Sequence, residues 1–241
     1  MRRTCLAVAL TMSLAALAAC QNNNPGPQQA QAYPSEQQQL VDKSRLSVEA
    51  LRSDPNLGPS TNDYLARARG VLIFPNLVKA GFFFGGGGGQ GVLLVRQGQG
   101  WSDPVFVYAA DASFGLQIGA EGGQVMFAVM NDGAVQKLLH GNANLGGDVS
   151  VALGPWGGGV QGASTPNIGA DLVAFSLQQG AFAGAAIKGG VVEPRQEWNA
   201  AYYGLGSTPD QIIRGAFNRP GDQPLKMALS VPPPRRTSSA R

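Results

Sequence analysis

The block from Gly70 to Gly206 holds 30 of the chain's 34 glycines, threaded between short aliphatic and aromatic runs. Gly70-Val-Leu-Ile-Phe-Pro75, Gly81-Phe-Phe-Phe-Gly85, Gly91-Val-Leu-Leu-Val-Arg96, Val105-Phe-Val-Tyr108 and Ser113-Phe-Gly-Leu-Gln-Ile-Gly119 lead the series. Val125-Met-Phe-Ala-Val-Met130, Leu172-Val-Ala-Phe-Ser-Leu177 and Ala181-Phe-Ala-Gly-Ala-Ala-Ile187 complete it. Apolar runs of this length, punctuated by Gly, Asp and Pro, read as strands. Glycine inside a strand marks a bulge, a bend or a close backbone approach. The expected fold is therefore α+β: a many-stranded, strongly curved, mainly antiparallel sheet or flattened barrel flanked by short N- and C-terminal helices.

Helical patterns frame the sheet. Ser35 to Leu51 places Leu40, Ser44, Val48 and Leu51 on one face, as an amphipathic helix requires. Asp54-Pro55 and Gly58-Pro59 break it, and Thr61 or Asn62 can cap a second helix running to Arg69. Asp132–Leu139 reads as a short helix stopped near Gly141. Pro194 sits at a first-turn position before Arg195–Tyr203, and Thr208-Pro209-Asp210 opens a helix through Phe217. Trp198, Tyr202, Ile212, Ile213 and Phe217 are expected to cover one face of the sheet.

The ends of the chain give an expected address. Arg2 and Arg3 precede an apolar stretch from Cys5 to Leu17 and then Leu17-Ala-Ala-Cys20, the layout of a secretory signal over residues 1–19. The Leu-Ala-Ala-Cys ending resembles a bacterial lipobox, which implies that Cys20 is acylated and starts the mature chain. Gln21 follows instead of Asp, which by the same analogy favours the outer membrane facing the periplasm. Residues 20–34 read as a disordered tether of roughly 20 Å root-mean-square span. A single domain is expected over 35–219, with a disordered, basic, Pro-containing tail over 220–241. No cysteine remains for a disulfide once Cys5 and Cys20 are accounted for.

Charge argues against nucleic acid. Between Gly70 and Gly204 five basic residues face eight acidic ones, so no basic stripe crosses the sheet block. Chemistry is equally sparse. Gly86-x-Gly88-x-x-Gly91 matches a dinucleotide fingerprint only formally, because a strand follows it instead of a helix; it reads as a flexible hairpin turn. His140 is the only histidine and reads as a polar residue closing its helix. Asp103, Asp111, Asp132, Asp148 and Asp171 lack calcium-loop spacing and read as turn and cap residues. Glu193 and Arg195 flank Pro194 and suit a local ion pair. No cofactor, metal or catalytic residue is expected.

Several of these words occur in an informative order. Ala68–Pro75, Lys79–Gly86 and Gly91–Arg96 resemble the opening of the SYLF domain. That family is shared between bacterial envelope proteins and eukaryotic lipid- and actin-binding proteins. The likeness continues through Ser113–Ala120, Leu138-Leu-His-Gly141, Gly180–Gly184, Val192–Arg195 and Ala201–Gly204. The resemblance implies a module binding phospholipid, phosphoinositide-like or other anionic lipids, without catalysis. It also implies membrane contact through a basic N-terminal segment, here Lys43, Arg45, Arg52, Arg67 and Arg69. Lys79 is a further candidate for lipid contact, and Phe82, Phe83 and Phe84 offer apolar insertion as the alternative to an electrostatic contact. Two departures remove positive charge: the pure glycine loop Gly85–Gly89, and Asn142 and Asn144 after the Leu-Leu-His-Gly motif. The alternatives are a structural or protein-interaction lipoprotein that self-associates through exposed sheet edges, and an enzyme of unrecognised type.

Overall fold

The computed structural model describes residues 34–141, 143–154, 169–177, 190–217 and 219–230, with backbone alone over 79–85 and 111–121. Strand β1 runs from Gly70 to Gln97 and β3 from Val105 to Val129, joined through the two-residue β2, Gly100–Trp101. They pair antiparallel from Gly70↔Val129 to Leu93↔Val105, with register shifts between Phe74 and Leu77 and between Phe82 and Phe84. The sequence expectation of separate short strands is corrected here. Three apolar runs fuse into β1 and three into β3, because the glycines between them keep extended backbone and continue the ladder.

A straight strand of 28 residues would run about 90 Å. This one meets itself instead. A Cβ on Gly91 would lie 2.5 Å from the Ile73 carbonyl oxygen and 2.6 Å from the Phe74 ring, and one on Gly89 would lie 2.6 Å from the Asn76 carbonyl. The Arg96 amide donates to the Arg69 carbonyl at 2.8 Å. Glycine is therefore required for close approach, and the sheet curls strongly. The supposed hairpin turn at Gly86–Gly91 is strand interior, paired from Gly86↔Ala112 to Gly91↔Val107.

The seven described strands form one mixed sheet. Strand β6 (Leu172–Ser176) lies antiparallel on one end of β3, and β5 (Val151–Leu153) runs parallel to β6. Strand β7 (Val191–Pro194) pairs antiparallel with Val107–Ala110 of β3, and β4 (Ala143–Asn144) adds to β7. Val71–Phe74, Val92–Leu94, Val105–Val107, Val125–Val129 and Leu172–Ser176 are buried without alternation. Runs of this kind belong to a sheet covered on both faces.

Helix α1 (Glu36–Ser53) packs on β1 and β3 and is capped by Ser35, whose hydroxyl accepts from the Gln38 amide at 3.2 Å. Helix α2 (Gly58–Arg67) starts earlier than its expected cap. Leu57 holds the N-cap position, Pro59 fits the first turn, and the Asp54 carboxylate accepts the Asn56 and Leu57 amides at 2.9 and 2.8 Å. Thr61 is buried inside the helix. Helix α3 (Asp132–His140) is capped by Asn131 and stopped by Gly141 at φ +86°. Pro194 ends β7 instead of opening a helix; α4 covers Gln196–Tyr203. Thr208 and Gln211 form a capping box on α5, Pro209–Ile213, which ends before Phe217 and is followed by Gly215 at φ +76°.

The Phe106 ring is met by Trp198, Tyr202 and Tyr203 at 6.0, 5.1 and 6.4 Å between centroids, and Phe217 stacks on Tyr203 at 5.0 Å. The buried Asn199 amide accepts from Phe106 N at 2.8 Å and donates to Phe106 O at 3.2 Å, acting as a strand neighbour for that residue. Covering of the sheet by these aromatic residues agrees with the sequence expectation.

The boundary expected at Arg219 is corrected. Pro220–Asp222 forms a 3-10 turn and α6 spans Gln223–Leu229, with Asp222, Leu225 and Leu229 fully buried. Residues 231–241, like the signal, Cys20 and the tether, lie outside the described residues.

Candidate functional site

A groove of about 580 Å³ opens where α1 passes the curled ribbon, lined by Leu40, Lys43, Pro75, Asn76, Val78, Gly86–Gln90 and Tyr108. Each wall has a local cause. Pro75 and Asn76 occupy the register shift between Phe74 and Leu77, a bulge that re-aims a side chain. The glycine run leaves a floor of bare backbone, and Gln90 and Tyr108 are direct cross-strand neighbours beside it. The Tyr108 hydroxyl lies across Gly88, where a Cβ would stand 2.7 Å from it. Val78 and Tyr108 are both 41% exposed. The side chains of Lys43, Asn76, Gln90 and Tyr108 have no hydrogen-bond or ion-pair partner among the described residues.

The five basic residues singled out in the N-terminal segment do not form one patch of equivalent charges. Arg45 is ion-paired with Glu49 at 2.8 Å. The Arg52 guanidinium donates to Asn62 at 2.8 Å, to the Ser230 carbonyl at 3.1 Å and to the Ala228 carbonyl, and burial lowers its pKa. It staples α6 to α1. Arg67 stacks over the Tyr64 ring at 4.7 Å, and Arg69 lies 3.6 Å from Asp132. Lys43 alone of the five carries an ammonium with no partner among the described residues, and it faces the groove. The side chains of Lys79, Phe82, Phe83 and Phe84 lie outside the described residues.

Elsewhere the titratable groups serve the fold. Arg195 pairs with Glu197 at 2.6 Å and not with Glu193. The His140 ring nitrogen meets Gln136 at 3.1 Å on the exposed end of α3. Burial would raise the Asp171 carboxyl, but hydrogen bonds from Asn131 and from the Ser150 amide and hydroxyl hold it below its usual range. Asp103 is buried and ion-paired with Lys226. Asp222 accepts from the Tyr202 hydroxyl at 2.7 Å; burial pushes its carboxyl up to about 6, with Asp103 adding to the rise and Tyr202, Lys226 and Arg219 opposing it. Burial also pushes both tyrosine hydroxyls, Tyr202 and Tyr203, upward. Among the described residues there is no group of His, Cys, Asp and Glu able to hold a metal ion, and no helix long and apolar enough to cross a membrane.

The groove residues Asn76, Gln90 and Tyr108 escaped the sequence reading. The available signal was that polar side chains bracket the glycine run, Asn76 before it and Gln90 directly after.

Comparison with known proteins assigns the chain. Residues 110–231 match the family model described as Ysc84, Las17-binding protein actin regulator. LAS seventeen-binding protein 3 of Saccharomyces cerevisiae (strain ATCC 204508 / S288c) is 31% identical over 202 residues, 82% of this chain and 43% of that protein. Protein YSC84 of the same yeast is 34% identical over 160 residues, 65% of this chain and 34% of that protein. SH3 domain-containing YSC84-like protein 1 of Homo sapiens is 31% identical over 158 residues, 65% of this chain and 46% of that protein. This chain thus spans less than half the length of each of these relatives. No solved structure matches it. The order of motifs, the curled glycine-rich sheet and the matched stretch together identify this chain as a member of the Ysc84, or SYLF-domain, family.

Proposed function

We propose that this chain is a lipid-anchored protein of the bacterial envelope whose SYLF domain binds the surface of an anionic phospholipid membrane without catalysis. The observation that carries this reading is the groove beside α1: an open site with a cation and three polar side chains that have no partner among the described residues, and an exposed valine at its edge. Acylation of Cys20 tethers the domain within reach of the bilayer, and three acyl chains at about 0.8 kcal/mol per buried methylene hold it there. The expected address is the outer membrane facing the periplasm. Labelled fatty acid should enter the wild-type chain and not Cys20→Ser; label retained by the variant contradicts the anchor. Vesicle co-sedimentation of the Cys20→Ser chain without residues 1–19 tests the lipid contact apart from the anchor.

A second reading is a protein-interaction lipoprotein that self-associates or scaffolds partners. It is favoured by the relatives' names as binding proteins and by Leu205, which is 97% exposed between Gly204 and Gly206, both at positive φ. A Cys20→Ser chain that ignores vesicles and sediments as an oligomer supports this reading over the first.

A further inference from the structure

We infer that the groove is a selective headgroup site, built for a phosphodiester that carries one negative charge and free hydroxyls, as in a glycerophospholipid with a glycerol headgroup. This rests on the phospholipid reading above and goes beyond it, because a domain held by diffuse surface charge needs no such groove.

The first argument is charge. Lys43 is the sole ionisable side chain among the groove's described lining residues apart from the Tyr108 phenol, and its ammonium has no partner there. One cation neutralises one phosphodiester. A headgroup with further phosphate monoesters would bring charges that nothing in the described lining offsets, at a desolvation cost that grows with each. Arg45, Arg67 and Arg69 are engaged elsewhere by Glu49, Tyr64 and Asp132.

The second argument is hydrogen-bonding capacity. The amides of Asn76 and Gln90 both donate and accept, as does the Tyr108 hydroxyl, and all three are without partners among the described residues. Hydroxyl groups satisfy such a mixed set, whereas a bare phosphate accepts only. The third argument is shape. Gly86–Gly89 expose backbone where side chains would fill the space, and a volume of about 580 Å³ is of the size that holds a small ligand. Val78, 41% exposed at the edge, offers apolar contact to the glycerol backbone of a lipid still seated in the bilayer.

The test uses the mature chain from position 20 onward, without residues 1–19 and carrying Cys20→Ser, and vesicles of phosphatidylcholine doped with equal mole fractions of phosphatidylglycerol or phosphatidic acid. Phosphatidic acid carries at least as much charge but no headgroup hydroxyls. Phosphatidylglycerol should bind more tightly, and soluble glycerophosphoglycerol should compete. Lys43→Gln should weaken binding about tenfold, as the loss of a charge-assisted hydrogen bond does, and Gln90→Leu and Tyr108→Phe severalfold. Arg45→Gln, whose charge Glu49 already offsets, should change it less than twofold, and the exposed Arg214→Gln not at all. Equal losses for Lys43→Gln and Arg45→Gln, or binding to phosphatidic acid as tight as to phosphatidylglycerol, overturn the headgroup site while leaving membrane attachment intact. Failure of the Cys20→Ser chain with an intact groove to bind either vesicle overturns both, even if the soluble headgroup binds.

Discussion

At the scale of single residues, the glycines divide by physical cause. Gly98, Gly141, Gly204 and Gly206 take positive φ at turns and helix ends, where a Cβ is disfavoured by the backbone itself. Gly88, Gly89 and Gly91 have strand geometry and are required because another part of the ribbon lies where a Cβ would go. Gly91 is the clearest instance, since both the Ile73 carbonyl and the Phe74 ring stand in the way and Phe74 is itself buried. Gly91→Ala should therefore destabilise the domain by about 1–3 kcal/mol, the usual cost of overpacking, seen as a lower midpoint in chemical denaturation. Gly100→Ala is the control. Its Cβ would meet nothing nearer than 3.8 Å, and the change should stay within about 0.5 kcal/mol. Equal effects at the two positions would contradict the self-contacting ribbon.

Among the elements, the apolar spacing of the helices was legible, whereas the cap of α2, the start of α4 and the strand boundaries were not. The Leu40, Ser44, Val48 and Leu51 face is a local signal, and α1 follows it closely. Strand ends are not legible because glycine punctuates a sequence pattern, whereas a glycine whose missing Cβ admits a neighbouring strand continues the ladder through that point. The C-terminal helix failed for a different reason. Lys226 counts in the sequence as one more tail charge, and only the fold brings it to buried Asp103, 123 residues away. The turn before that helix and the helix itself are both clamped to α1: Gln38 donates to the Gly221 carbonyl in the turn at 3.2 Å, and Arg52 holds the carbonyls of Ala228 and Ser230 at the helix end.

Asp222 sits inside this clamp, facing Tyr202 and Tyr203, with Asp103, Lys226 and Arg219 acting on it electrostatically. Its folded pKa of about 6 lies above the ordinary aspartate value of 3.8, so the folded state binds the proton more tightly. Its contribution to stability is complete below about pH 4 and is lost as pH rises through about 6, a loss on the order of 2–3 kcal/mol. Asp222→Asn keeps the carbonyl that accepts from Tyr202 and removes the titration. The wild type should therefore lose stability relative to Asp222→Asn between about pH 4 and 7 in denaturation experiments. A constant difference across that window would show that Asp222 does not titrate there.

At the scale of the whole molecule, the sequence carried the family, the curled α+β sheet and one of the groove's polar residues. Lys43 came with the expected basic segment; Asn76, Gln90 and Tyr108 did not, because a bulge, a glycine floor and a cross-strand pair bring them together only in the folded chain. The same fold separates Lys43 from the four arginines named with it by giving each of those a partner.

Membrane attachment by the domain itself is measured by binding of the Cys20→Ser chain without residues 1–19 to vesicles. The chain should pellet with anionic vesicles and remain soluble with neutral ones. Raising salt to about 0.5 M shortens the Debye length to roughly 4 Å, so binding should fall steeply across that range. Binding to anionic and neutral vesicles alike, unmoved by salt, would contradict the electrostatic account and turn attention to apolar insertion; no binding to either would contradict membrane attachment itself.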